Sequence, residues 1–148
     1  MPLRGMGCRP VSSALNSKNT MKVNATIVET GFKFSEAHEV SSVSYIGGRL
    51  CVALKALKGE ETVVATSPEV AGFRVLDEGD LLEFWPVCSS PGEWLFLVMG
   101  NGWLDQERMR SGFVRGDIKN LREYLITGEN DCVSVLAWDQ PRISAHAI

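Results

Sequence analysis

The apolar residues of this chain fall into short, strand-length runs separated by glycine-containing turns, and this pattern limits the fold more than any other feature. Val23, Ala25 and Ile27 alternate with polar residues, which is the period of a half-buried strand. The most apolar run, residues 94–99, is also only strand-length. None approaches the roughly 18 uninterrupted apolar residues that a membrane-spanning helix needs, so we expect a sheet-rich, soluble protein without membrane contact.

Glycine positions predict how the strands connect. Gly47-Gly48 separates two strand-like runs, and glycine accepts the positive φ of a tight hairpin turn. A second turn at residues 58–60 leads into a third strand, which predicts an antiparallel meander. A further hairpin is expected around Asp77-Glu78-Gly79-Asp80, and a short Ser-capped helical turn at Ser67-Pro68-Glu69.

Two helices are predicted late in the chain. Asn101-Gly102 indicates a turn, and the helix-forming residues after it indicate a short helix over 104–110. The clearest helical pattern runs from Asp117 to Thr127, with Asp117 as the N-cap and Gly128 as the stop signal. The apolar face of this predicted helix consists of Ile118, Leu121, Tyr124 and Leu125.

Strands followed by late helices, without βαβ alternation, predict an α+β fold. We expect an antiparallel sheet of about six or seven strands, with one or two helices packed on one face. Residues 21–140 should form a single domain, while 1–20 and 141–148 should be flexible N-terminal and C-terminal tails. Whether Met1 or Met21 is the biological start is left open.

The charge distribution bears on partners. Residues 1–20 contain three basic and no acidic side chains, so 12 basic and 18 acidic side chains remain in residues 21–148, a net charge of −6. An acidic body argues against nucleic-acid binding, which relies on Lys and Arg, and suits a basic protein partner. The four cysteines are far apart in sequence, which indicates no zinc knuckle or redox pair and favours a reducing cytoplasm.

The sequence contains no motif for catalysis, a metal or a cofactor. With two histidines, His38 and His146, a catalytic triad would depend on His38, and no G-x-S-x-G elbow presents a serine. Gly100 and Gly102 lack the third glycine of a dinucleotide fingerprint. The predicted site therefore includes no catalytic residue, no metal ligand and no cofactor.

Tryptophan supplies the candidate partner-binding residues. Trp103 follows the most apolar run directly and is itself followed by Asp105 and Glu107. An aromatic anchor with charged neighbours is typical of a protein interface, where Trp is enriched in binding hot spots. Trp103, Asp105 and Glu107 are therefore the predicted partner face.

The leading hypothesis is a non-catalytic protein-binding module. In its most concrete form it is an immunity- or antitoxin-type protein of the bacterial kind that neutralises a basic toxin. The alternative is a small enzyme or small-ligand-binding domain with a pocket between the sheet and the helix that begins at Asp117. A third possibility is a structural subunit whose exposed strand edges pair with neighbours.

Overall fold

The computed structural model describes residues 22–114 and 119–146. Within these residues, nine strands form two sheets and one short α-helix accompanies them. The helix, α1 (Trp103–Arg108), lies between the sixth and seventh strands. In chain order the strands are β1 (Asn24–Ile27), β2 (His38–Ile46), β3 (Arg49–Ala56), β4 (Thr62–Ser67), β5 (Gly72–Asp77), β6 (Leu95–Gly100), β7 (Arg122–Ile126), β8 (Asp131–Ala137) and β9 (Arg142–His146).

Both sheets are antiparallel. The five-stranded sheet has the order β1-β6-β7-β8-β5, and the four-stranded sheet has the order β2-β3-β4-β9. The meander predicted from the glycine turns is confirmed as β2, β3 and β4. Gly47 and Gly48 connect β2 to β3 with φ of 57° and 86°, a conformation that costs glycine little because it has no Cβ.

The core lies between the two sheets. Leu50, Val52 and Leu54 of β3 are each 1% exposed, because alternate residues of a strand point to the same face. Facing strands of the five-stranded sheet place Ile126 and Val133 in the same hydrophobic cluster. The two sheets therefore pack face to face.

The five-stranded sheet is covered on its outer face as well. Leu81 and Phe84, from the segment after β5, are buried there, and so is Leu104 of α1. Because both faces of this sheet are covered, residues 132–137 of β8 are all buried. A strand that is covered on both faces is buried at successive positions instead of at alternate ones.

The predicted helix from Asp117 to Thr127 is wrong. Residues 122–126 form β7, the middle strand of the five-stranded sheet, while Asp117 and Ile118 lie outside the described residues. Tyr124 belongs to the core between the sheets and Leu125 to the cluster on the outer face. In the sequence, Tyr124 and Leu125 match one apolar face of a helix. In the structure they point to opposite faces of β7, and both faces are covered.

Three further predictions are corrected by the strand pairings. The hairpin expected around Asp77 does not form, since β5 pairs with β8, a 3-10 helix follows at Glu78–Asp80 and residues 82–87 form turns. Ser67 ends β4 instead of capping a helical turn. Most of the predicted C-terminal tail, 141–148, is strand β9, which pairs with β4. The short helix after Asn101-Gly102 is confirmed as α1.

The predicted N-terminal tail, residues 1–20, lies outside the described residues. In the part of the chain that the structure describes, no helix is long and apolar enough to cross a membrane.

Candidate binding pocket

A pocket of about 600 Å³ opens at one end of the two-sheet structure. Three segments form its walls: residues 34–38 at the start of β2, residues 85–93 before β6, and residues 127–129 between β7 and β8. Glu78, directly after β5, completes the lining. Because these segments all begin or end strands at the same end of the sheets, strand register places them side by side.

Backbone hydrogen bonds tie the three walls together. The Phe34 amide donates to the Gly92 carbonyl at 3.0 Å, and the Glu129 amide donates to the His38 carbonyl at 2.8 Å. Gly92 has a φ of 78°, and a Cβ there would lie 2.6 Å from the Phe34 carbonyl oxygen. Only glycine permits this close approach, so the pocket shape depends on this position.

His38 is a half-buried member of the wall. Its Nε2 donates to the Thr127 carbonyl at 2.8 Å, which places the proton of the neutral ring on that nitrogen. The ring stacks on Phe34 with a centroid separation of 4.2 Å. Burial lowers the pKa of His38 below its ordinary value, although the Thr127 carbonyl, the Glu129 carboxylate and the Glu36 backbone oppose this effect. The imidazole is therefore mainly neutral at pH 7.

Carboxylates give the pocket its charge. Glu36, Glu78, Glu93 and Glu129 all line it, and among the described residues 22–114 and 119–146 no Lys or Arg does so. Glu93 pairs with Lys33 at 3.3 Å, whereas the other three form no ion pair with any residue of the described ranges 22–114 and 119–146. The pocket is thus an acidic concavity with spare acceptors for a cation.

The aromatic ring of Trp85 forms part of the pocket wall. Its indole Nε1 donates to the Glu78 carbonyl at 3.0 Å, and its own carbonyl accepts from the Ser89 hydroxyl at 2.7 Å. The indole bond, together with packing against the outer-face hydrophobic cluster, holds the half-buried ring at the pocket wall, and the Ser89 bond fixes the backbone beneath it. An aromatic face near carboxylates is a favourable environment for an organic cation.

The lining also contains one thiol. Cys88 is buried, and desolvation raises the pKa of its thiol to about 12, with smaller contributions from Glu123 and Cys132. A thiol with this pKa stays protonated at neutral pH and is a poor nucleophile. Among the described residues, no group of three His, Cys, Asp or Glu side chains is placed to hold a metal ion. The chemistry that this arrangement supports is cation binding.

The residues predicted as the partner face lie elsewhere. Trp103, Asp105 and Glu107 belong to α1, which follows the far end of β6 from the pocket, about 20 Å away at the rise of a six-residue strand. Trp103 and Glu107 share one helix face, since the indole Nε1 donates to the Glu107 carboxylate at 3.1 Å. The Arg74 guanidinium lies 4.9 Å from the centre of the Trp103 ring.

Charges on α1 are locally paired. Asp105 accepts from the Asn101 amide at 2.6 Å and forms an ion pair with Arg108, and Glu107 forms one with Arg110. Trp103 is half-buried and uses its N–H inside the molecule. These contacts occupy much of the predicted partner face, which stays a prediction.

Two features of the structure were not found from the sequence. The pocket residues come from four segments that are distant in sequence, and only strand register brings them together. Glu123 is 1% exposed and accepts hydrogen bonds from the Trp103 and Leu104 amides at 3.1 and 2.8 Å, although nothing in its sequence neighbourhood sets it apart from a surface carboxylate. Comparison of the chain with protein-family models, curated proteins and solved structures found no match.

Proposed function

We propose that this protein is a non-catalytic binding module whose acidic pocket receives a cationic side chain of a basic protein partner. The observation that carries the proposal is a concave pocket with carboxylates from separate segments, aromatic walls and no Lys or Arg among the described residues that line it. The net charge of −6 over residues 21–148 supports it, because an acidic body accelerates encounter with a basic partner. An immunity- or antitoxin-type protein that neutralises a basic toxin is the most concrete form of this proposal.

The expected strength of the pocket contact is modest. Glu36, Glu78 and Glu129 are exposed, and an ion pair between exposed groups contributes about 0.2–1 kcal/mol. A stable protein complex buries roughly 1,200–2,000 Å² in total, so the pocket would anchor one side chain within a wider contact. The pocket would then determine which partner binds and how fast the two proteins associate, and the surrounding surface would supply most of the affinity.

A charge-matched mutant set tests the proposal. The probe is a fluorescent six-residue peptide amide of alternating Lys and Arg, titrated at low salt with anisotropy as the readout. Glu36→Lys/Glu129→Lys should weaken binding about tenfold or more. Glu69→Lys/Asp139→Lys makes the same change in net charge at the opposite end of the sheets and should have a much smaller effect.

A third double variant tests the face predicted from the sequence. Asp105→Lys/Glu107→Lys reverses the same amount of charge on α1. If this variant abolishes binding while the pocket variant binds normally, the partner face is α1 and the pocket proposal is wrong. Circular dichroism of each variant verifies the fold, because Asp105 and Glu107 also make internal hydrogen bonds.

One observation favours a second candidate function. A pocket of about 600 Å³ lies in the size range of small-molecule sites, roughly 300–1,000 Å³. A small organic amine could occupy it without a protein partner, although the pocket lies at the strand ends and not between the sheet and a helix. Isothermal titration with free arginine amide and with the peptide separates the two: equal affinity favours the small ligand, and clearly tighter peptide binding favours the protein.

A further inference from the structure

We infer that the pocket selects a guanidinium group over an ammonium group, so that its occupant is an arginine side chain and not a lysine side chain. This inference rests on the proposed function and narrows it. It depends on the aromatic rings that line the cavity and on the spread of its acceptors.

The rings are the first argument. His38 stacks on the buried Phe34 ring, so the half-buried imidazole is the member of this pair that an occupant can contact. Trp85 is also half-buried: it packs partly against the outer-face hydrophobic cluster, and its bond to the Glu78 carbonyl holds it at the pocket wall. A guanidinium is planar and weakly hydrated, so it can lie flat against such rings. An ammonium is a compact, strongly hydrated charge that gains less from a ring wall and loses more water on entry.

The spread of acceptors is the second argument. Glu36, Glu78 and Glu129 come from three separate segments around the cavity. A guanidinium presents five N–H donors in a plane, and these can address acceptors on different sides at once. An ammonium has three donors around one atom, so carboxylates on separate walls compete for the same point charge.

The solvent exposure of the carboxylates determines which contribution distinguishes a guanidinium from an ammonium. The three free carboxylates are exposed, so a purely electrostatic contact would be screened by water and would favour the two cations about equally. Discrimination must therefore come mainly from the ring walls. The neutral state of His38 matters here, because an imidazolium would repel the guanidinium beside it.

The test compares two peptides of equal length and charge, hexa-arginine amide and hexa-lysine amide, titrated against the full chain at pH 7.5. Hexa-arginine should bind at least about fivefold more tightly. Trp85→Leu should reduce this preference to less than about twofold. Tyr45→Leu removes an exposed aromatic ring at the far end of β2, which starts at the pocket, and should leave the preference unchanged.

Further variants separate the inference from the proposed function. Glu129→Gln should weaken both peptides by a similar factor, because both cations use the charge. Trp85→Phe keeps a ring and should keep most of the arginine preference. If Trp85→Leu does not fold, Trp85→Met removes the ring with a longer side chain and should reduce the preference in the same way.

Equal affinity of the two peptides for the unmodified protein, both weakened by Glu129→Gln, would overturn the guanidinium inference and leave the proposed function in place. Binding of neither peptide, or no effect of Glu129→Gln on either, would overturn both. An arginine preference that survives Trp85→Leu in a folded protein would show that the ring wall is not its source and would also overturn the inference.

Discussion

Glu123 is an acidic residue of β7 whose side chain is buried on the outer face of the five-stranded sheet. Its neighbours explain why an acidic side chain is tolerated there. Its two carboxylate oxygens accept the amide protons of Trp103 and Leu104, which open α1 and have no partner within the helix. Burial raises the pKa of this carboxyl, whereas these two hydrogen bonds and the Arg74 guanidinium oppose the rise. The side chain thus fixes the start of α1 on β7.

We expect Glu123→Gln to destabilise the protein by about 1–3 kcal/mol. The amide keeps the shape of the side chain but places an NH₂ donor against one of the two backbone amides, which loses its acceptor. Urea unfolding at pH 7 measures the change in the free energy of unfolding. The exposed Glu69→Gln serves as the control and should change it by less than about 0.5 kcal/mol. A Glu123→Gln protein as stable as the original would contradict this role.

His38 gives a prediction about pH. Burial lowers the pKa of His38 in the folded protein below the ordinary 6.5, so the unfolded chain takes up the proton first as the pH falls. Between pH 6.5 and the lower folded pKa, the unfolded chain binds more protons and the free energy of unfolding decreases. His38→Gln keeps an N–H donor for the Thr127 carbonyl but does not titrate. It should therefore lose less stability than the original protein between pH 7.5 and pH 5.5.

Urea midpoints of the two proteins at both pH values measure this difference. The other ionisable side chains, including Glu36, Glu129 and His146, are the same in both proteins, so the difference in pH dependence reports on His38. An identical pH dependence in the two proteins would mean that His38 titrates normally in the folded state.

At the level of elements, local sequence patterns correctly predicted structure that depends on residues close in sequence. They failed where packing against distant segments determines which residues are buried. The glycine turns predicted the β2-β3-β4 meander because turn geometry is local. The Tyr124-Leu125 pair misled the prediction because a strand covered on both faces buries every residue, as an apolar helix face would. The pocket could not be predicted, since the strand pairings that unite Phe34, Trp85 and Thr127 are invisible in the sequence.

The junction of β6 and α1 depends on Gly102. A Cβ at this position would lie 2.6 Å from Val98 Cγ1 and 2.8 Å from a Glu123 carboxylate oxygen. Gly102→Ala must displace one of them, so we expect a loss of roughly 1–3 kcal/mol in the free energy of unfolding. Gly72→Ala is the matched control, because its Cβ would meet the Trp103 ring at an ordinary 3.8 Å. If Gly102→Ala and Gly72→Ala change the free energy of unfolding by similar amounts, the close approach at Gly102 is relieved without an energetic cost.

For the whole molecule, the two ends of the sheets have different roles. At one end, loops between strands leave an acidic pocket with ring walls. At the other, α1 and Glu123 form an internally bonded unit with little unpaired charge. The sequence predicted a partner face at the second end because Trp103 and its charged neighbours are close together in sequence. The pocket was not predicted because its carboxylates are dispersed along the chain.

The closure of the four-stranded sheet by β9 gives the last prediction. β9 covers the edge of β4, and half-buried Ile143 packs against the core between the sheets. A chain that ends at Gln140 loses these backbone hydrogen bonds, at about 0.5–1.5 kcal/mol each, and exposes the β4 edge to pairing with other chains. A chain that ends at His146 retains β9 and is the control. We expect the shorter chain to unfold at a lower urea concentration and to self-associate in size-exclusion chromatography with light scattering. If it instead stays monomeric with the midpoint of the control, β9 does not contribute to the stability of the sheet, and residues 141–148 act as the tail that the sequence predicted.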